Sequence, residues 1–226
     1  MTGFEMQELE QRTMEWFEMR AGKPTASRFS DIMAVSKRDG KPLKARTTYA
    51  YQLVAERIAG PMPSPSTAAM RRGTEQEPFV RRLYAARTGF DVQETGFVLS
   101  ACGRYGASPD GLVGEDGLVE IKTREPHLFV TDLLNGPTTV PEDYRWQMIG
   151  QCLVTGRPWC DLAQYSAPVR GFRIVRYEPT QKELDQLAAQ LEAFCEEVDG
   201  FHVLARELLA EVCVPIEALP WEEGGA

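Results

Sequence analysis

The sequence reads SPDGL at residues 108–112 and VEIK at residues 119–122, and these two stretches decide the fold prediction. A Pro-Asp-Gly turn followed by a run of alternating apolar and charged residues is typical of a β-hairpin. Because side chains two positions apart on a strand point to the same face, Glu120 and Lys122 emerge together. The pattern places Asp110 at the turn that leads into this hairpin, close to both.

Two carboxylates beside an ammonium group form a compact set of groups for phosphodiester hydrolysis. Carboxylates hold Mg²⁺ ions, which neutralise a phosphate, activate a water molecule and stabilise the leaving oxygen. A lysine near the attacking water orients it and counters the charge that develops in the transition state. Each stretch taken alone also fits an ordinary turn or an exposed amphipathic strand, so the surrounding sequence has to decide.

The composition is that of an ordinary globular protein, with 226 residues of which 43% are hydrophobic and 26% charged. We expect one domain over residues 1–226. No apolar run approaches the ~18 residues of a membrane span, and the N-terminus is polar and acidic, so we expect a cytoplasmic protein with no membrane partner. Five cysteines without a CxxC pair and two separated histidines argue against a zinc site or a disulfide framework.

The formal net charge of −8 is spread unevenly along the chain. Residues 1–90 carry 15 Lys and Arg against 10 Asp and Glu, whereas residues 91–226 carry 10 against 23. This asymmetry suits a chain that presents basic groups to DNA on one surface, although charge also varies along ordinary solvated helices. The candidates for contact with the DNA backbone are Arg28, Lys37, Arg38, Lys41, Lys44 and Arg46.

The periodicity of apolar residues predicts a helix-rich N-terminal half, a central sheet and a helical C-terminus. The predicted helices span residues 5–19, 27–33 with Ser27 as the cap, 47–58, 75–88, 142–154 and 180–198. The predicted strands span residues 92–99, 103–107, 118–121, 159–165 and 172–177. A loop rich in proline and serine separates two helices at residues 60–66. The fold class is therefore α/β or α+β, with a mixed sheet of five strands flanked by helices.

Joined at this spacing, Asp110, Glu120 and Lys122 match the PD-(D/E)xK signature, and the flanking motifs follow the order found in lambda-type phage exonucleases. The chain resembles this family, the YqaJ-like viral recombinase nucleases, over residues 14–165. The flanking motifs are WFEMR at 16–20, PTAS at 24–27, RGTEQE at 72–77 and WQMIGQC at 146–152. The resemblance implies a restriction-endonuclease-like core. It also implies a magnesium-dependent enzyme that digests linear double-stranded DNA in the 5′-to-3′ direction.

The resemblance assigns a role to each residue of the central motif. Asp110 and Glu120 are implied to be metal ligands, together with the main-chain carbonyl of Ile121, and Lys122 to be the catalytic lysine. Two Mg²⁺ ions per active site are implied, for which Mn²⁺ can substitute. The implied product is a 5′-phosphomononucleotide, and the strand left behind carries a 3′ single-stranded tail.

A third carboxylate comes from the helix before the sheet. Glu77 is implied to complete the metal site, because its distance from Gly73 agrees with the pattern of the family. Glu75 is the rival, but two positions on a helix point about 200° apart, so both cannot serve equally.

The resemblance also implies a pocket for the 5′-terminal phosphate of the digested strand. Arg20 provides charge and paired donors, while Ser27, Ser108 and Gln147 provide hydroxyl and amide groups for the phosphate oxygens. Ser27 has the alternative role of a helix cap, and Gln147 that of a surface amide. Gln151 lies four residues after Gln147, on the same helix face, and is a weaker site candidate.

The implied assembly is a homotrimeric ring around DNA, acting with a single-strand annealing protein as a phage or prophage protein in a bacterial host. A closed ring would hold DNA by topology, which suits an acidic chain that gains little from nonspecific charge. Two other functions stay open, a restriction-like endonuclease and an inactive module that binds DNA ends. The intact set of two carboxylates and a lysine argues against the inactive module.

Overall fold

The computed structural model describes residues 5–6, 11–36, 38–62 and 67–213 of the chain. The helices are α1 (Met14–Arg20), α2 (Phe29–Met33), α3 (Lys44–Ala59), α4 (Ala68–Thr88), α5 (Pro126–Asn135), α6 (Glu142–Thr155) and α7 (Gln181–Val212), and a 3₁₀ turn at Ala26–Arg28 precedes α2. The strands are β1 (Glu5–Met6), β2 (Val92–Gln93), β3 (Val98–Leu99), β4 (Gly106–Ala107), β5 (Gly111–Val113), β6 (Gly117–Thr123), β7 (Trp159–Ser166) and β8 (Gly171–Tyr177).

The central sheet has five strands in the order β2-β5-β6-β7-β8. Strands β6 and β7 run parallel and the other neighbours run antiparallel, so the sheet is mixed. A parallel pair needs a long crossover, and α5 and α6 provide it. A separate small sheet contains β1, β3 and β4. The predicted fold class and the five-stranded mixed sheet are thereby confirmed.

Side chains of strand β6 point alternately to the two faces of the central sheet. On one face, Val119 and Ile121 pack with Val80 and Tyr84 of α4. On the other face, Leu118 packs against α6 in a cluster with Leu162 of β7. A second apolar cluster joins α2, α3, α6 and α7 through Phe29, Tyr49, Leu53, Ile149, Leu187, Leu191 and Phe194. The predicted alternation along β6 therefore matches the two layers of helices, and Glu120 is directed toward α6.

The predicted helix at residues 5–19 is wrong at its start. Glu5–Met6 forms strand β1, which pairs with Val98–Leu99 of β3. The helix begins only at Met14, where the hydroxyl oxygen of Thr13 accepts a hydrogen bond from the backbone N–H of Trp16. Pairing with a distant strand overrides the local helical pattern. Residues 7–10 lie outside the described residues.

Other predicted boundaries also change. Residues 92–99 form two short strands that belong to different sheets. Strand β5 was not predicted, and it begins at Gly111, the last residue of the predicted turn. Ser27 is not a helix cap, because Thr25 precedes the 3₁₀ turn and Arg28 precedes α2. Helices α4 and α7 extend beyond their predicted ranges, and α5 was not predicted. Of the predicted loop at 60–66, residues 63–66 lie outside the described residues. Within the described ranges, no helix is both long and apolar enough to cross a membrane.

Candidate active site

The β5–β6 hairpin brings the three residues of the central motif together. Asp110 directly precedes β5, and its Oδ2 accepts a hydrogen bond from the backbone N–H of Ile121 at 2.6 Å. On β6, the Nζ of Lys122 lies 2.6 Å from Oε1 of Glu120. The turn that was predicted to place Asp110 beside Glu120 and Lys122 does so through this backbone contact.

Glu120 is almost completely buried, with 1% of its surface exposed. Its Oε1 accepts hydrogen bonds from Lys122 and from Nε2 of Gln147, the latter at 2.6 Å. Its Oε2 accepts one from Nε2 of Gln151 at 2.5 Å. Both glutamines lie on one face of α6 because they are four residues apart. A buried carboxylate is tolerated only with such partners, so α6 and β6 together stabilise this charge.

Negative charge is crowded around Asp110. Burial raises the pKa of the Asp110 carboxyl well above its ordinary value, and the neighbouring carboxylates of Glu120 and Glu77 raise it further. The ammonium of Lys122 and the hydrogen bond from Ile121 act in the opposite direction but do not outweigh these effects. A cation bound between these carboxylates would stabilise their ionised forms.

Lys122 is a cation at neutral pH. Burial alone would lower the pKa of its ammonium, but Glu120 and Asp110 outweigh burial and raise this pKa above its ordinary value. The ring of Tyr144 lies 5.4 Å from Nζ, measured to the ring centroid, and adds a favourable contact with the charge. In this environment Lys122 supplies positive charge next to the carboxylates.

Glu77 reaches the same region from α4. Its two carboxylate oxygens accept from Arg12 at 2.9 Å and from Arg81 at 2.8 Å. Arg81 also donates to the main-chain carbonyl of Asp110 at 3.3 Å, so it joins α4 to the Asp110 turn. Glu75 is exposed to solvent. Of the two rival glutamates, Glu77 is the one whose charge acts on Asp110.

The donor set fits a hard divalent cation. Asp110, Glu120, Glu77 and the carbonyl of Ile121 offer only oxygen atoms, which is the chemistry that Mg²⁺ and Mn²⁺ prefer. Among the described residues, no three acidic, thiol or imidazole groups form a ready-made metal cluster. The carboxylates of Glu77 and Glu120 are instead held by arginine, lysine and amide groups. The placement of Asp110 near the carboxylates of Glu120 and Glu77 favours a cation at this point.

The residues of the predicted phosphate pocket fall into two groups. Arg20 donates to Oγ of Ser108 at 3.3 Å, and Nε1 of Trp16 donates to the same oxygen at 3.1 Å. The guanidinium of Arg20 stacks on the Trp16 ring, 3.8 Å from its centroid. Burial lowers the pKa of Arg20 to about 10, so it remains a cation at neutral pH. Gln147 belongs to the other group, because its side-chain amide donates to Glu120 of the central motif.

Among the described residues, Ser27 makes no hydrogen bond with Arg20 or Ser108. It is exposed, and its Oγ lies 3.4 Å from Oγ1 of Thr25. The backbone N–H of Thr25 donates to the hydroxyl of Tyr49 at 3.0 Å. Burial raises the pKa of Tyr49, and the positive charges of Arg28 and Arg20 oppose this shift.

The basic residues predicted to contact the DNA backbone differ in exposure. Arg46 is buried and bonded to Glu197, Gln190 and the carbonyl of Ile32, so the prediction that it tracks DNA is wrong. Arg28 is paired with Asp31. Lys37 lies outside the described residues. The basic residues left exposed are Arg38, Lys41 and Lys44.

Four residues at the site were missed or ranked low from the sequence. The sequence indicates Gln151 only as a weaker candidate, although its spacing from Gln147 places both on the same face of α6. Arg81 carried a signal in its spacing of four residues from Glu77, which favours an ion pair on a helix. Arg12 and Tyr144 had no comparable local signal, because their partners lie far away in the chain.

Comparison with protein families gives one match, and it covers more than half of the chain. Residues 15–158 match the family model of the YqaJ-like viral recombinase domain. The chain belongs to this family. The resemblance inferred from the motifs is thereby confirmed. A comparison with curated proteins finds no match.

Solved structures that are similar to this chain are also exonucleases. The chain is similar to the alkaline exonuclease LHK-Exo from Laribacter hongkongensis, with 33% identity, a TM-score of 0.78 and coverage of 89% of this chain and 100% of that chain. LHK-Exo in complex with dAMP gives a TM-score of 0.79 at the same identity and coverage. A phage related exonuclease from Haemophilus somnus 129PT shares the fold, with 14% identity, a TM-score of 0.67 and coverage of 82% and 96%. These comparisons place the chain among the exonucleases of the YqaJ-like family.

Proposed function

We propose that this chain is a magnesium-dependent 5′-to-3′ exodeoxyribonuclease with one nuclease domain over residues 1–226. It digests one strand of linear double-stranded DNA from 5′-phosphorylated ends and leaves 3′ single-stranded tails for recombination by strand annealing. The observation that carries the proposal is the buried Glu120 carboxylate in contact with the Lys122 ammonium, beside Asp110. Such a set of charges suits the hydrolysis of a phosphodiester.

Asp110, Glu120, Glu77 and the carbonyl of Ile121 would hold the metal. When bound, Mg²⁺ supplies Lewis acidity and lowers the pKa of a coordinated water molecule. Lys122 orients the attacking water and stabilises the negative charge that develops on the phosphate oxygens. Arginine would be a poor replacement for Lys122, because a planar fork differs from a compact point charge in size and geometry.

Arg20, Ser27, Ser108 and Gln147 hold the 5′-terminal phosphate. The contacts of Arg20 with Ser108 and Trp16 support this role, because a preoriented guanidinium loses little freedom when it binds an anion. The amide nitrogen of Gln147 donates one hydrogen to Glu120 and has a second hydrogen for a phosphate oxygen. Cleavage one bond away from a fixed end releases a 5′-phosphomononucleotide. The complex of LHK-Exo with dAMP supports a product of this size.

The working form in this proposal is a homotrimeric ring that encloses DNA. The partner is a single-strand annealing protein, and the setting is the cytoplasm of a bacterial host that carries a phage or prophage. The exposed basic groups Arg38, Lys41 and Lys44 support a DNA-facing surface on an otherwise acidic chain.

The test compares linear and closed circular duplex DNA in the presence of Mg²⁺, with a parallel sample in EDTA. The proposed exonuclease digests linear DNA, spares the circle and is inactive in EDTA. Digestion of the circle would identify a restriction-like endonuclease instead. Binding of linear DNA without digestion of either substrate would indicate an inactive end-binding module.

A further inference from the structure

Gln151 lies in the middle of α6 and is completely buried. Its Nε2 donates to Oε2 of Glu120 at 2.5 Å, and its Oε1 accepts from Sγ of Cys160 at 3.4 Å. A buried amide is costly unless its donor and its acceptor both find partners, and here both do. Gln151 therefore links the core of the sheet at β7 to the carboxylate of the central motif.

The partners decide which way the amide points. An ionised carboxylate only accepts hydrogen bonds, so the amide nitrogen has to face Glu120. Burial raises the pKa of the Cys160 thiol well above its ordinary value, so its S–H stays protonated and donates. The amide oxygen of Gln151 is the acceptor for this thiol. The order Cys160, Gln151, Glu120 is thus a directed chain of donors and acceptors.

We propose that Gln151 is a positioning residue that sets the rotation of the Glu120 carboxylate for metal binding. This inference rests on the proposed function. The terminal torsion of a glutamate is soft, so the plane of its carboxylate needs contacts on both oxygens to stay fixed. Lys122 and Gln147 both hold Oε1. Among the described residues, Gln151 is the donor that holds Oε2.

If Gln151 were important only for packing, its replacement would affect Mn²⁺ binding no more than the replacement of another buried glutamine. The chain offers a matched control for this alternative. Gln164 on β7 is also completely buried, and its Nε2 donates to Oδ2 of Asp132 at 3.0 Å. Its Oε1 accepts from Arg173 at 2.5 Å. Gln164 and Gln151 therefore make the same kind of contact with a buried carboxylate, but the partner of Gln164 is Asp132, which is not one of the proposed metal ligands.

The experiment measures Mn²⁺ binding by isothermal titration calorimetry without DNA, for Gln151→Met and Gln164→Met beside the wild type. Methionine keeps the volume and removes both polar groups. We expect Gln151→Met to weaken Mn²⁺ binding by about tenfold or more and Gln164→Met to change it by less than about twofold, since removing partners of metal ligands typically costs 10–100-fold in affinity. Gln151→Met should also raise the Mg²⁺ concentration needed for half-maximal digestion.

A second pair of variants tests the chain of hydrogen bonds and remains informative if Gln151→Met fails to fold. Cys160→Ala removes the donor to Gln151 and should weaken Mn²⁺ binding, whereas Cys160→Ser restores a donor and should recover it. Wild-type Mn²⁺ affinity in both Gln151→Met and Cys160→Ala would overturn the inference while leaving the proposed function intact. A wild type that neither binds metal nor digests linear DNA would overturn the proposed function and the inference together.

Discussion

Lys122 is one half of a charge pair whose other half, Glu120, is almost entirely removed from water. Ion pairs in such surroundings are maintained by additional hydrogen bonds, and Gln147 and Gln151 supply them here. Burial lowers the pKa of Lys122, but the carboxylates of Glu120 and Asp110 outweigh it and raise this pKa, so the charge persists throughout the neutral and mildly alkaline range. The contribution to hydrolysis that we propose for Lys122 is electrostatic, and we expect it to persist as the pH rises through this range.

Replacing Lys122 by alanine should lower the rate of digestion by about a hundredfold or more, since it removes a charge that stabilises the transition state. Metal binding, measured by calorimetry, and DNA binding, measured by fluorescence anisotropy, should be retained because no ligand is lost. The exposed Lys182 on α7 is the control, and Lys182→Ala should digest DNA like the wild type. A rate for Lys122→Ala within about tenfold of the wild type, roughly 1.4 kcal/mol of barrier, would remove Lys122 from its role.

Arg20 should distinguish DNA ends that carry a phosphate from those that do not. The wild type is expected to digest linear DNA with a 5′-phosphate faster than the same DNA with a 5′-hydroxyl, because the guanidinium pairs with the terminal phosphate. Arg20→Ala should abolish the difference, while Arg206→Ala, at an exposed position of α7, should keep it. Equal rates on both ends for the wild type would refute the phosphate pocket.

At the scale of elements, α6 and β6 could be predicted because their patterns are long and regular. Residues 142–154 were expected to be helical, and the helix spans Glu142–Thr155. The alternation on β6 likewise predicted which residues face the site. Short strands such as β1 could not be predicted in this way, because pairing with a distant strand decides them. Helix α5 was missed because several of its apolar residues are exposed, which obscures a one-sided pattern.

In the candidate site, some contacts follow from the local sequence and others depend on residues that are distant in the chain. Asp110, Glu120 and Lys122 lie within one hairpin, so their proximity follows from the turn and the alternation. The contact between Arg12 and Glu77 joins residues that are 65 positions apart, and nothing in the local sequence indicates it. The attachment of Gln151 to Glu120 depends on how α6 packs across β6. Local patterns thus predict the motif, and tertiary packing decides its surroundings.

The start of α7 is stabilised by a capping box. Thr180 accepts from the backbone N–H of Glu183, and the Glu183 carboxylate accepts from the backbone N–H of Thr180 at 2.8 Å. Burial would raise the pKa of Glu183, but hydrogen bonds from Tyr177, Arg145 and Thr180 outweigh it and lower the pKa to about 2. Because the folded pKa lies below the unfolded value of about 4.3, the ionised carboxylate stabilises the fold above that value.

Glu183→Gln should lower the free energy of unfolding at neutral pH by about 1 kcal/mol, because glutamine can keep the capping box but loses the charge that strengthens the hydrogen bonds from Tyr177 and Arg145. The deficit should shrink as the pH falls from about 4.3 toward the folded pKa, because the wild type then loses the same charge. Urea unfolding across a pH series measures this. Glu207→Gln, at an exposed position of α7, should show no such pH-dependent deficit. A deficit for Glu183→Gln that stays constant down to low pH would contradict the linkage.

At the scale of the whole molecule, the acidic chain limits how DNA can be held. Affinity from phosphate neutralisation needs several lysine and arginine contacts and weakens steeply with salt. Of the basic stretch, Arg38, Lys41 and Lys44 are exposed, whereas Arg46 is buried and paired with Glu197. The basic stretch of one chain thus offers few contacts, and several chains arranged around the duplex would multiply them.

We therefore expect a trimer with a mass of about three times the 25.3 kDa of the chain, measured by light scattering at working concentration. Digestion should continue after an excess of unlabelled linear DNA is added, because an enclosed duplex cannot escape. A mass equal to a single chain, with digestion stopped promptly by the added DNA, would leave an ordinary distributive nuclease.

The direction of digestion tests the account most directly. Two samples of the same linear duplex with 5′-phosphorylated ends are prepared, one labelled at a 5′ end and the other at a 3′ end, and each is digested in Mg²⁺. The account predicts that the 5′ label is released at once as a mononucleotide, while the 3′ label stays on single strands of long length. Early release of the 3′ label, or appearance of either label in internal fragments, would contradict it.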